Sequence, residues 1–161
     1  MKYWHKIVAF SMSLSLSLMA CNTKNVVHTN FDDIPQETWK WDNAISFEFD
    51  IDDSTITYNH FINYRLTDRY AKANIYVIRK IINPLGDTSE QLLNSILFTP
   101  EGTAKGSKSG RFINIESPIE VNRKVVIMGK YRVILIQHTR EFDLAGVNAI
   151  GYTVTKGEPV F

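Results

Sequence analysis

The sequence is poor in the residues from which staples and simple reactive centres are built. Its 161 residues hold one cysteine, Cys21. One thiol at the boundary of a leader lies outside any folded core, so disulfides and cysteine-based zinc sites are excluded. The four histidines, His5, His28, His60 and His138, show no metal-ligand spacing. A charge excess is also missing, with 18 basic and 17 acidic side chains. Losing Lys2 and Lys6 with the leader leaves sixteen basic against seventeen acidic. Nucleic acid is therefore not expected as a partner, since its phosphates demand a strong basic excess. No internal repeat is present, and no G-x-S-x-G elbow for a serine nucleophile. Residues 7–20 carry no charge, but a membrane-spanning helix needs about 20 apolar residues.

What that stretch does have is the order of a leader. Lys2 and Lys6 form a positive head, residues 7–20 an apolar middle, and small Ala20 precedes the break. These are the parts of a secretory signal peptide, expected over residues 1–20. Leu18-Met19-Ala20-Cys21 resembles the bacterial lipobox at every position. That resemblance implies that Cys21 receives a diacylglyceryl group, becomes the first mature residue, and is acylated again with palmitate or a similar chain. At about 0.8 kcal/mol per buried methylene one chain holds weakly, whereas two or three anchor stably. Residues 21–25 read as the lipidated cysteine and a polar tether.

Residues 26–161 read as a single all-β domain, an antiparallel β-sandwich of jelly-roll-like form. A first strand, at an edge, is expected over 26–31. Residues 32–43 read as a loop broken by Asp32, Asp33 and Pro35; in it, Trp39 and Trp41 either cap a core or form an exposed binding pair. Residues 44–51 alternate apolar and polar, the mark of a half-buried strand. Residues 58–66 place Tyr58, His60, Ile62, Tyr64 and Leu66 on one side. Residues 75–82 are apolar on both faces, which predicts a central strand, and Asn83-Pro84-Leu85-Gly86-Asp87 ends it as a turn. Residues 89–98 fit a strand or one short helix. Residues 101–110, rich in glycine and lysine, predict a mobile loop. Strands follow over 111–116, 124–128 and 131–137, the last two separate or bent at Gly129. A connector over 139–148 and a last strand over 149–155 complete the domain. Short strands, strong turns and no helical partner predict a sandwich.

Phe47-x-Phe49-x-Ile51-x-Asp53, Tyr58, Arg65, Tyr70 and Asn74 form one block, and Gly129-x-Tyr131, Gln137, Arg140, Leu144, Gly146 and Gly151 a second. In this order and spacing, with the lipobox, the chain resembles the gliding-motility lipoprotein GldH family of Bacteroidota over nearly its whole length. It departs in residues 101–110, which lack the family's tryptophan. The resemblance implies a non-enzymatic outer-membrane lipoprotein required for gliding and associated with the type IX secretion machinery. Its partners would be membrane lipid, through acylated Cys21, and other gliding or secretion lipoproteins or envelope components. Residues after Cys21 carry no acidic run of the kind that directs surface export, so a periplasmic orientation is expected.

No cofactor or metal is expected. Asp50, Asp52 and Asp53 fail as an EF-hand loop, because Thr55 stands at the glycine position and Phe61 at the glutamate position. Gly106-Ser107-Lys108 misses the phosphate-loop spacing. Glu48 and Asp50 share an exposed face, and a glycosidase pair is not expected there. Asp53, Tyr58, Arg65, Tyr70, Asn74, Tyr131 and Arg140 remain as candidates for partner contact or structural roles. Arg65 and Arg140 are each expected to pair with a carboxylate, Asp53 or Asp143. The alternative function is a carbohydrate-binding surface lipoprotein using Trp39 and Trp41, with Tyr70.

Overall fold

Alternation along residues 44–51 becomes β3 (Ile45–Ile51), whose residues are buried and exposed in strict turn. The computed structural model describes residues 25–160; the signal peptide, Cys21 and most of the tether lie outside the described residues. Eleven strands are present among them. The long ones are β1 (Val26–Asp33), β3, β4 (Ile56–Leu66), β5 (Asn74–Ile82), β6 (Thr88–Ile96), β8 (Phe112–Lys124), β9 (Gly129–Gln137) and β11 (Val147–Pro159). Three short strands are added, β2 (Thr38–Lys40), β7 (Ser107–Ser109) and β10 (Asp143–Ala145).

One sheet runs β1-β11-β4-β8-β7 and the other β3-β9-β5-β6, with β2 and β10 as a separate ribbon. Counting only the eight long strands, the orders are first-eighth-third-sixth and second-seventh-fourth-fifth. That is the double Greek key of a jelly roll, so the expected fold is observed. Every pairing is antiparallel. Between the sheets, Phe49 stacks on Tyr131 at 5.7 Å and on Tyr152 at 6.1 Å. Tyr58, Ile62, Leu66, Val133, Leu135 and Ile150 fill in around them. Burying such side chains stabilises by about 1.5–3 kcal/mol each.

Several boundaries differ from the sequence expectation. The loop expected over 32–43 contains β2, whose Trp39 opposes Leu144 of β10. Residues 89–98 hold a strand: Leu93 and Leu97 point inward while Leu92 and Ile96 are exposed, and this doubled apolar pattern imitates a helical stripe. Residues 107–109 of the expected loop pair with β8. Gly106 lies so close to β8 that a Cβ there would sit 2.1 Å from the Asn114 carbonyl oxygen. Strand β8 runs on to Lys124, and residues 125–128 form a crossing between sheets, not a strand. Pro118 is tolerated in β8 because β7 covers only its start, which leaves an edge without ladder bonds to lose.

Candidate functional site

β5 is indeed internal to its sheet, but its outer face is left open. Val77, Arg79 and Ile81 point into the sandwich, while Tyr76 and Ile78 point out. Across the outer face, Ile78 opposes Ile136 on β9 and Leu92 on β6, with Leu92 56% exposed. Tyr76 and Ile96 extend this apolar row toward the end of the sandwich that carries the β2–β10 ribbon. An outward sheet face is normally polar, and a contiguous exposed apolar patch marks a contact surface. The ion pairs Lys80–Glu90 (2.9 Å) and Arg132–Glu48 (2.7 Å) border it.

At the ribbon end the row meets Trp41 and Phe142, 56% and 72% exposed. Their rings meet edge to face, 6.1 Å apart at 70°. A hollow of about 550 Å³ lies between them, Ile136, His138 and Arg140. A second, of about 320 Å³, lies between Arg140, Lys72, Asn74 and Tyr76. Arg140 therefore stands on the ridge between two hollows. Buried Gln137 holds that turn rigid: its amide donates to the Glu141 carbonyl at 2.7 Å, and its oxygen accepts from the Thr139 hydroxyl at 2.9 Å. Arg140 itself is exposed and makes no ion pair among the described residues. The expected pairing with Asp143 is not made, because the Gln137-locked turn needs no such bridge. Because Trp41 and Phe142 are mostly exposed and lie outside the buried core, their joint replacement by alanine is expected to change stability by less than about 1 kcal/mol, checked by urea unfolding.

The remaining candidates fall in three places. Tyr70 donates to the Asn74 carbonyl at 2.7 Å and stacks on Phe98, tying the chain before β5 to its first residue. Asn74 donates to the Asn94 side chain at 2.7 Å. Tyr58 donates to the Asp53 carbonyl at 2.6 Å and Tyr131 to the Ile127 carbonyl at 2.7 Å, both at the opposite end. These tyrosines tie loops to strands. Asp53 accepts from the Thr55 amide at 2.8 Å and closes its own turn; Asp52 faces Lys156 at 3.8 Å, so the three acidic residues do not converge. Arg65 also makes neither carboxylate pairing. It lies on the other sheet's outer face, bonded to Asn114 at 3.1 Å, with its guanidinium 5.3 Å from the Phe31 ring and 5.9 Å from Phe112. Neighbouring aromatics satisfy the cation there.

Trp39 is fully buried and its indole N–H donates to the Asn43 carbonyl at 2.8 Å; it caps the core. Trp39 lies within β2, whereas Trp41 follows it in the turn where the chain leaves the ribbon, so one ring is buried and the other is exposed; Tyr70 is buried as well. No coplanar pair of exposed rings forms here for stacking on a sugar.

Inside the sandwich is a polar group that the sequence does not announce. Arg79 is 3% exposed and donates to Glu120 and to Gln91, each at 2.8 Å. Arg123 also bonds Glu120, at 2.7 and 2.9 Å. Half-burial works against the charge on Glu120, but the two guanidinium partners outweigh it and hold its pKa below the usual value. Beside them His60 is buried with Nδ1 3.0 Å from the Tyr152 hydroxyl. Burial chiefly pulls His60 down to about 4, with Glu120 opposing and Arg79 and Arg123 assisting. Between about pH 6.5 and 4 the unfolded chain therefore binds a proton that the folded chain refuses, so stability falls as pH drops. The expected loss at pH 5 relative to pH 7 is about 2 kcal/mol. Half-buried His28, lowered by desolvation, adds in the same direction. Urea midpoints at the two pH values measure the slope, and His60→Asn should flatten most of it.

Comparison with known proteins gives the family. The family model described as GldH lipoprotein matches residues 26–154. The gliding motility lipoprotein GldH of Flavobacterium johnsoniae is 29% identical over 150 residues, covering 87% of this chain and 90% of the relative. The gliding motility lipoprotein GldH homolog of Christiangramia forsetii is 26% identical over 156 residues, covering 92% and 95%. A crystal structure of the infectious bursal disease virus VP2 subviral particle overlays with a TM-score of 0.34 at 11% identity, covering 89% of this chain and 37% of that one. So loose an overlay carries nothing further. With the family model spanning the whole described sandwich from β1 into β11, the chain belongs to the GldH lipoprotein family.

Proposed function

We propose that this protein is a cell-envelope lipoprotein acting in gliding motility, and that it acts by holding a protein partner, not by catalysis. The observation that carries the reading is the match to gliding lipoproteins along nearly the whole length of both chains. The apolar row and the Trp41–Phe142–Arg140 end support the mode of action. Aromatic and arginine side chains around an apolar centre with a charged rim are the usual make-up of protein interfaces. The more specific reading sets it in the outer membrane, facing the periplasm, alongside the type IX secretion machinery. Cys21 supplies the anchor in that reading.

Deletion of the gene in the source organism tests this, scoring spreading on a surface together with secretion of type IX cargo. Loss of spreading, restored by the intact gene and not by Cys21→Ala, is the expected result. Unchanged spreading in the deletion strain would contradict a gliding role. Lost spreading with normal cargo secretion would remove only the link to secretion.

A further inference from the structure

The end of the sandwich opposite Trp41 carries the first described residue, Asn25, whose carbonyl accepts from the Lys156 amide at 2.7 Å. The β3–β4 turn, the β5–β6 turn and the β8–β9 crossing lie at the same end, for Ile51 opposes Gly129 and Ile82 opposes Thr88. The turn and the crossing touch, since a Cβ on Gly129 would lie 3.1 Å from the Pro84 side chain. Three apolar side chains project there into solvent: Val126, 86% exposed, Leu85, 72%, and Met128, 56%. None of the three belongs to the buried core.

We infer that Leu85, Val126 and Met128 rest in the headgroup region of the membrane and stand the domain on this end. The inference depends on the acylated Cys21 of the proposed function. From Cys21 to Asn25 there are four residues, which reach at most about 14 Å. So short a tether keeps this end, and no other, against the lipid surface. Charge there is mixed, with Lys124, Lys130 and Lys156 beside Asp52, Asp53 and Asp87, so attraction to anionic lipid is not the driving force. Apolar side chains entering the interface are. Nine residues of β9 at about 3.3 Å each then hold the Arg140 ridge roughly 30 Å out from the lipid, facing the compartment.

Acylation of the sole native cysteine leaves a newly introduced cysteine as the one reactive thiol. The test uses the acylated protein in phosphatidylethanolamine–phosphatidylcholine vesicles, with an environment-sensitive NBD dye on Val126→Cys, Leu85→Cys or Phe142→Cys. Expected are a blue-shifted emission at 126 and 85 that doxyl-labelled lipid quenches, and water-like, unquenched emission at 142. Two of the three positions lie on the lipid end, so misfolding of one variant does not remove the test. Protein that floats with the vesicles while dyes at 126 and 85 report water would overturn the inference and leave the anchor standing. Acylated protein that fails to float would overturn the anchor and this inference together.

Discussion

Gly146→Ala is expected to destabilise the fold by about 4 kcal/mol. Gly146 adopts φ +85°, and a Cβ there would lie 2.1 Å from the Tyr70 amide nitrogen and 2.5 Å from its Cα. A left-handed backbone costs an ordinary residue about 1–2 kcal/mol. Overlap with backbone adds about 1–3 kcal/mol, because no side chain can rotate away. Relief by separation would break the Thr67 amide bond to the Gly146 carbonyl (2.9 Å) and the Gly146 amide bond to the Glu37 carbonyl (2.8 Å). The first bond joins the ribbon end to the end of β4, and the second ties it to the residue before β2. Thermal unfolding should show a Tm lower by more than about 10 °C; a shift within a degree or two would mean that the 67–70 turn can yield.

Glu120→Ala should cost about 3 kcal/mol through the charge it strands. Arg79 has no titratable escape, since a guanidinium stays protonated at any working pH. In the variant its buried charge keeps Gln91 but loses the carboxylate. The figure sits at the low end for a broken buried pair because the Glu120 side chain retains 27% exposure, which lets water compensate in part. Removing both charges, as Arg79→Met with Glu120→Leu, should recover most of the loss, since apolar replacement of a buried pair is often neutral. Urea midpoints for Arg79→Met, Glu120→Leu and the double variant close the cycle. Simple additivity would show that Arg79 and Glu120 do not depend on each other.

How far the sequence foretold this depends on whether information lay along the chain or across it. β3 was legible because its inner set, Ile45, Phe47, Phe49 and Ile51, and its charged outer set obey one period. The turn after β5 was legible because Asn83 supplies its own closure, its side-chain oxygen accepting from the Leu85 and Asp87 amides, both at 2.9 Å. β6 was not, because an exposed apolar residue beside each buried one erases the period that separates strand from helix. The apolar outer face of β5 correctly indicated an internal strand, yet a sheet needs neighbours only at its edges, and nothing along the chain says whether a layer covers its face. Arg79 escaped notice for a related reason: its partner Glu120 stands 41 residues away on the other sheet. The family tyrosines were identifiable as positions, but their service as loop ties is visible only once the accepting carbonyls are in place. Trp39 and Trp41, two residues apart, would share a face in a continuous strand, but the chain turns after Lys40 and leaves Trp41 exposed.

Whether the Trp41–Leu92–Phe142 face holds a partner can be read from one motility assay. A deletion strain carrying the Trp41→Ala, Leu92→Lys, Phe142→Ala triple variant should make the protein at normal level, membrane-bound and with an unchanged Tm, and still fail to spread. Full spreading by that strain would contradict the account, because a charge and two missing rings at the centre and rim of the face would then matter to nothing the protein does.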